Sequence, residues 1–280
     1  MVRLLLKMLD GFYQKITLIG FYRVKFQNCF HINCDNTELP DKNILDIVTV
    51  SLNNEAVIYY QIRFLKKNLL NPFFYTVVDN STDPKHAKKI LEICKKSGVG
   101  YVKAPKNPFT FIRPSSSHGS TVNWIYKQYI KARNAKYWAI IDHDIFPTKP
   151  TRIIYRLNKQ PVYGYLQKRK DIWYLWPGFS FFNAGNIGDR KMDFMPGLKG
   201  DTGSRNYASL YSKLKQGKLE FPKHRYLRIR KGETPQSDLV EFIGSWIHTF
   251  NASGWKRIGN KKQKNKQVKD ILDNYLGKGN

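Results

Sequence analysis

Acidic residues are scarce in this chain of 280 residues: 21 Asp and Glu stand against 48 Lys and Arg, a formal net charge of +27. Such a balance points to an anionic partner, whether nucleic acid, a membrane surface or a phosphorylated substrate. Cysteine is also sparse. Cys29, Cys34 and Cys94 cannot build a disulfide framework, which suits a reducing compartment, and Cys29-x-His31-x-x-Cys34 offers three soft ligands without the fourth a structural zinc needs. No uncharged apolar run approaches the roughly 18 residues of a spanning helix. Arg3, Lys7, Asp10, Lys15 and Arg23 interrupt the apolar N-terminal stretch, and Lys7 splits the segment a signal peptide would use, so a cytoplasmic protein is expected. There is no GxxxxGK[ST] phosphate loop, no zinc-finger spacing, no RRM-type motif and no internal repeat, which counts against an NTPase and a nucleic-acid-binding module.

What is present is a core-forming composition, 41% hydrophobic and 14% aromatic, too rich for disorder. Strand patterns at Ile44–Leu52, Phe73–Val78, Val99–Lys103 and Tyr137–Ile141 alternate with helical ones. The first helix carries Ile58, Ile62, Leu65 and Leu69 on one face; the second has Asp83 as N-cap, Pro84 at its first position and Gly98 as its stop. Pro105–Ser117 reads as a loop, with a third helix beginning near Ser120. This alternation implies an α/β fold with a Rossmann-like, mostly parallel sheet flanked by helices. Beyond Pro150 the pattern turns to mixed aromatic strands, then a short helix from Tyr207, a strand or loop over Phe242–His248, and an amphipathic Lys-rich tail helix. The expected organisation is an extension over 1–43, a nucleotide-binding half over 44–150, an acceptor half over 151–258 and a tail over 259–280. The basic N-terminal stretch and the tail are both expected to attract anionic lipid, which would make the protein peripheral to a membrane.

Asp142-His143-Asp144 closes the apolar run Tyr137–Ile141. Two carboxylates one residue apart repel each other unless a hard cation sits with them, and a Mg²⁺ or Mn²⁺ so held keeps positions open for substrate phosphates. In a parallel sheet, Ser51–Glu55, Asp79–Asp83 and Asp142–Asp144 all emerge at the carboxyl edge.

Val78-Asp79-Asn80-Ser81-Thr82-Asp83 and Ile140-Ile141-Asp142-His143-Asp144 resemble the second-strand and D-x-D motifs of family 2-like glycosyltransferases, and the order of motifs over about 44–255 resembles a GT-A fold. The resemblance implies that Ser51, Asn53, Glu55 and Asp79 hold the base and ribose of a UDP- or GDP-sugar, and that His118, at the opening of the helix before the D-x-D strand, lies near its phosphates. It implies a divalent cation on Asp142 and Asp144, with His248 as a third ligand whose imidazole favours manganese. It places the catalytic base of an inverting transfer at Asp201, with Asp193 and Glu241 as rivals. Trp176-Pro177-Gly178, read as a loop, supplies the acceptor contact through Trp176 and Gly178. The implied activity is sugar transfer onto a glycan or glycolipid. A nucleotidyl- or phosphotransferase using the same carboxylates, and a basic nucleic-acid-binding protein, are the alternatives.

Overall fold

The computed structural model describes residues 2–35, 37–39, 41–169, 171–229, 239–249 and 261–277. Its strands are β1 (His31–Ile32), β2 (Leu45–Ser51), β3 (Phe73–Asp79), β4 (Gly100–Lys103), β5 (Tyr137–Asp142), β6 (Ile145–Pro147), β7 (Val162–Arg169), β8 (Ile172–Asn183), β9 (His224–Arg228), β10 (Leu239–Ile243) and β11 (Trp246–His248). Seven of them form a sheet in the order β1-β4-β3-β2-β5-β8-β7. Its centre, β4-β3-β2-β5, is parallel. β1 and β8 run against it and β7 runs with it, so five of the seven strands share one direction. The α/β class read from the alternating periods is what the chain adopts, with a mostly parallel sheet flanked by helices.

The helices are α1 (Val2–Thr17), α2 (Ile19–Arg23), α3 (Glu55–Asn68), α4 (Pro84–Ser97) and α5 (Pro114–Ile125), followed by short turns and a C-terminal helix over Lys261–Leu276. α3 starts where the Asn54 side chain accepts from the Val57 amide, and it presses Ile58, Ile62 and Leu65 onto the sheet. α4 starts at the Asp83 cap with Pro84 at its first position and ends at Gly98, whose φ of 65° is the left-handed conformation glycine adopts without steric cost. Beneath the sheet, Arg133 Nε lies 3.0 Å from Asp46 Oδ2, both side chains being buried. Burial raises the Asp46 carboxyl to about 6 even though Arg133 opposes it.

Four sequence expectations change. α5 begins at Pro114, inside the segment read as loop. Pro114 has no amide to lose and a φ preset for a first helical turn, and Ser117 N donates to Arg113 O at 2.8 Å to close that turn. His31–Ile32, read as linker, pairs with β4 as an edge strand. Trp176-Pro177-Gly178 lies within the long strand β8, as a bulge: Gly164 pairs with Ser180 and Leu166 with Leu175, so Tyr165 alone faces residues 176–179. Pro177 is tolerated there because bulged residues leave the hydrogen-bond ladder. Finally, Phe242–His248 is a hairpin turning at Gly244-Ser245, with Gly244 at φ 61°. Its second strand pairs with β6, giving a second sheet β6-β11-β10-β9 that joins the two halves of the chain.

Candidate active site

Parallel pairing brings the polar strand ends to one edge. Ser51 lies in register with Asp79, Asp79 with Lys103, and Val50 with Asp142. Asp79 is fully buried and engaged by its neighbours: Oδ1 accepts from Ser81 N at 2.9 Å, and Oδ2 from Tyr101 Oη at 2.8 Å and Lys103 Nζ at 3.0 Å. Ser51 is buried beside it with a hydroxyl that has no hydrogen-bond partner. Asn53, at φ 47°, ties the β2 loop to the β3 loop, its Oδ1 accepting from the amides of Thr82 and Asp83 at 3.0 and 3.1 Å. Glu55 turns to α4, where it meets His86 and, at 2.9 Å, Lys89. Burial would raise its carboxyl, but those two hydrogen bonds outweigh it and hold the group at about 2.

The D-x-D turn is braced from below. Gln61 of α3 donates from Nε2 to the carbonyls of Asp142 and Ile145, at 2.8 Å each, and its own Oε1 accepts from Tyr75 Oη. Thr249 N donates to Asp144 O at 3.0 Å, tying the end of β11 to the same turn. The turn presents each carboxylate to a different histidine. His118 Nε2 lies 3.3 Å from Asp142 Oδ1, and His248 Nε2 lies 3.6 Å from Asp144 Oδ1. Because α5 starts at Pro114, His118 sits in the body of the helix and not at its N-terminus, so its place in the site rests on the contact with Asp142.

Burial raises the Asp142 carboxyl; His118 opposes that and Asp144 adds to it. Burial would lower His248, but Asp144 and Glu241 overcome it and the imidazole is raised. His143, inside the motif, is lowered by burial, and its buried Nδ1 has no hydrogen-bond partner. Glu241 takes His248 Nδ1 at 3.2 Å on one oxygen and His224 Nδ1 at 3.0 Å on the other. Burial would raise this carboxyl as well, yet the two imidazoles hold it at about 2.

On the acceptor side, Trp176 packs on His248 with ring centroids 5.0 Å apart. Its indole folds over Gly178, where an added Cβ would lie 2.2 Å from the ring, so no larger residue fits beneath it. Asp201 is exposed in a loop stitched to three places: its amide donates to Tyr174 Oη at 2.9 Å, Gly203 N donates to Phe194 O at 2.9 Å, and Thr202 Oγ1 donates to Ser115 O of α5 at 3.3 Å. Gly203, at φ 85°, lies against Pro177 of the bulge, where a Cβ would come within 2.7 Å. Asp193 is committed elsewhere, accepting from Asn123 Nδ2 at 2.8 Å and pairing with Arg205 at 3.2 Å.

The structure thus joins Asp142, His118, Asp144, His248 and Trp176 through successive contacts, and sets Ser51 and Asp79 at the same edge. It directs the Glu55 carboxylate toward α4. Gln61, Lys103 and His224 were not singled out in the sequence. Lys103 was visible as a polar strand end, but Gln61 and His224 acquire their partners only through packing.

Two carboxylates and an imidazole are donors that Mn²⁺ and Mg²⁺ accept, and the mutual repulsion felt by Asp142 and Asp144 marks a place short of positive charge. The residues therefore fit such a cation in kind. Among the described residues, no three His, Cys, Asp or Glu side chains converge in a geometry that could hold a metal as they stand.

No protein-family model matches the chain, and no curated protein matches it in sequence. In structure it is similar to TarS of S. aureus, at 22% identity over 39% of this chain and 18% of that one, with a TM-score of 0.30. It is similar to the bifunctional glycosyltransferase WbbM at 13% identity over 54% of this chain and 34% of that one, TM-score 0.36. It is also similar to the mannosyltransferase PcManGT from Pyrobaculum calidifontis, in complex with GDP-Man and Mn²⁺, at 13% identity over 66% of this chain and 54% of that one, TM-score 0.34. The chain spans less than two thirds of the length of each. At likenesses of this degree, what the site does is read from its own side chains.

Proposed function

We propose that this chain is a metal-dependent glycosyltransferase that moves a sugar from a UDP- or GDP-sugar to a glycan or glycolipid acceptor with inversion. The observation that carries the reading is the pairing of the two D-x-D carboxylates, at the carboxyl edge of a parallel sheet, with two histidines that are far apart in the sequence, His118 and His248. A solvated acidic turn does not need two imidazoles and a buried glutamine to hold it.

Asp142, Asp144 and His248 would hold a Mn²⁺ or Mg²⁺, whose charge offsets that of the diphosphate leaving group. Ser51, with its unpartnered buried hydroxyl, and Asn53 border the place of the nucleoside, and Asp79 stiffens that wall through its three bonds. Trp176 offers an aromatic face to the acceptor sugar. Asp201 takes the proton from the acceptor hydroxyl as its oxygen bonds to the anomeric carbon, while the bond from that carbon to the diphosphate oxygen breaks. A nucleoside diphosphate leaves with the electron pair.

Thermal melting with a panel of UDP- and GDP-sugars, each with and without Mn²⁺, tests the reading. One donor is expected to raise the melting temperature only when the cation is present, and then to be hydrolysed or transferred. Salt-sensitive DNA binding at physiological ionic strength, with no response to any nucleotide-sugar, would instead assign the positive charge to nucleic acid.

A further inference from the structure

Two amphipathic helices lie near the ends of the chain, and the fold treats them differently. The C-terminal helix Lys261–Leu276 spends its apolar face inside the protein: Leu272 is buried, with Val268, Ile271 and Leu276 around it, against Val57, Tyr60 and Phe64 of α3. Tyr60 Oη donates to Asp273 Oδ1 at 2.7 Å across that contact. The apolar face of this helix is thus taken up by the protein itself.

Over the side chains described from Leu9 onward, the α1–α2 segment is docked by one stripe and bare on the other. Gln14, Leu18 and Phe21 are buried, spaced to fall on one side of the α1–α2 segment. Leu9, Phe12, Ile16 and Ile19 recur at helical spacing on the opposite side, with Phe12 65% and Ile16 53% exposed. A surface helix ordinarily turns polar residues outward. Beside it, the loop between β4 and α5 adds Phe111 and Ile112, 80% and 74% exposed. This loop is held rigid: Phe109 is buried, and Asn107 Nδ2 donates to Ser117 O, Ser120 Oγ and Thr121 Oγ1 at 2.9 to 3.0 Å. Helix and loop form one surface, since the Tyr13 and Phe109 rings lie 6.4 Å apart and the Arg113 guanidinium sits 5.8 Å over Tyr13.

Charge identifies the occupant. Apart from Asp10 in α1, no Asp or Glu occurs in residues 2–34 or 93–141, the two segments that build this face, while Lys15, Arg23, Lys25, Lys106 and Arg113 belong to them. An apolar ridge in predominantly basic segments matches an anionic bilayer, with hydrocarbon for the ridge and lipid phosphates for the rim. We propose that the outer face of α1 and the Phe111-Ile112 tip together form a docking surface for an anionic membrane. α5 leaves this surface at Pro114 and carries His118 to Asp142, so the docked face adjoins the site.

Sedimentation of the full chain with phosphatidylcholine vesicles, with and without phosphatidylglycerol, tests this directly. Binding to the anionic vesicles is expected, and F12S/I16S and F111S/I112S are each expected to lower the partition coefficient roughly tenfold or more. Both variants should melt at the wild-type temperature, because the altered side chains are exposed. The proposal is overturned if wild type ignores anionic vesicles, if it binds neutral ones equally well, or if both variants bind like wild type. A concentration-dependent dimer broken by F12S/I16S would overturn it in favour of a second copy of the chain. No sugar donor enters the assay, so its outcome is independent of the transferase reading.

Discussion

Glu241 and His248 are direct cross-strand partners in the β10–β11 hairpin, with Oε2 of the carboxylate 3.2 Å from Nδ1 of the ring. A carboxylate at about 2 can only accept, so Nδ1 donates to it and Nε2 is left facing Asp144. Glu241 thereby orients the imidazole that would complete a metal site, a role unlike that of the catalytic base for which its sequence position made it a rival.

Replacing Glu241 with Gln keeps the shape but offers one oxygen and one NH₂ to two imidazole N–H groups, so either His224 or His248 meets a donor. Mn²⁺ affinity, read by calorimetry on the protein alone, is expected to fall roughly 10- to 100-fold. Unchanged affinity would show that His248 is not a ligand or needs no orientation.

Asp142→Ala and Asp144→Ala should each remove about 3 kcal/mol or more of transition-state stabilisation, roughly a hundredfold in rate, while the fold persists. Turnover by both variants at the wild-type rate, in the presence of EDTA, would end the metal reading.

Asp201→Asn removes the proton acceptor and leaves the loop's contacts with Tyr174 and Pro177 in place. Donor binding should persist while transfer falls by roughly 10²–10⁴. A loss of donor affinity would move Asp201 to the nucleotide, and unchanged transfer would point to a retaining reaction.

Glu55 governs acid stability at the mouth of α3. Its carboxyl is held at about 2 against an ordinary 4.5, so the fold binds the ionised form more tightly than the unfolded chain does. That stabilisation is complete above about pH 4.5 and is lost as pH falls toward 2. Urea melts of wild type and E55Q should differ by on the order of 1–3 kcal/mol at neutral pH and converge across that window. A difference that persists at pH 2 would separate the effect from the carboxyl's ionisation.

By itself the sequence determined the features that depend on neighbours along the chain. Asp83-Pro84 and Gly98 delimit α4, Tyr137–Ile141 is apolar over its whole length, and the alternation of periods required parallel strands whose ends share an edge. Each of these follows from local sterics, capping and burial. Only the tertiary structure decided which partners the edge residues take. His118 meets Asp142 because α5 starts at Pro114 and packs under residues 194–204, where Gly119 leaves no room for a Cβ beside Phe194 O. His248 meets Asp144 because β11 pairs with β6, about a hundred residues away, and no local pattern announces that register. In sequence the basic N-terminal stretch and the Lys-rich tail carry the same expectation of attraction to anionic lipid. They part only when one finds α3 to cover its apolar face and the other, already docked by its opposite stripe, does not.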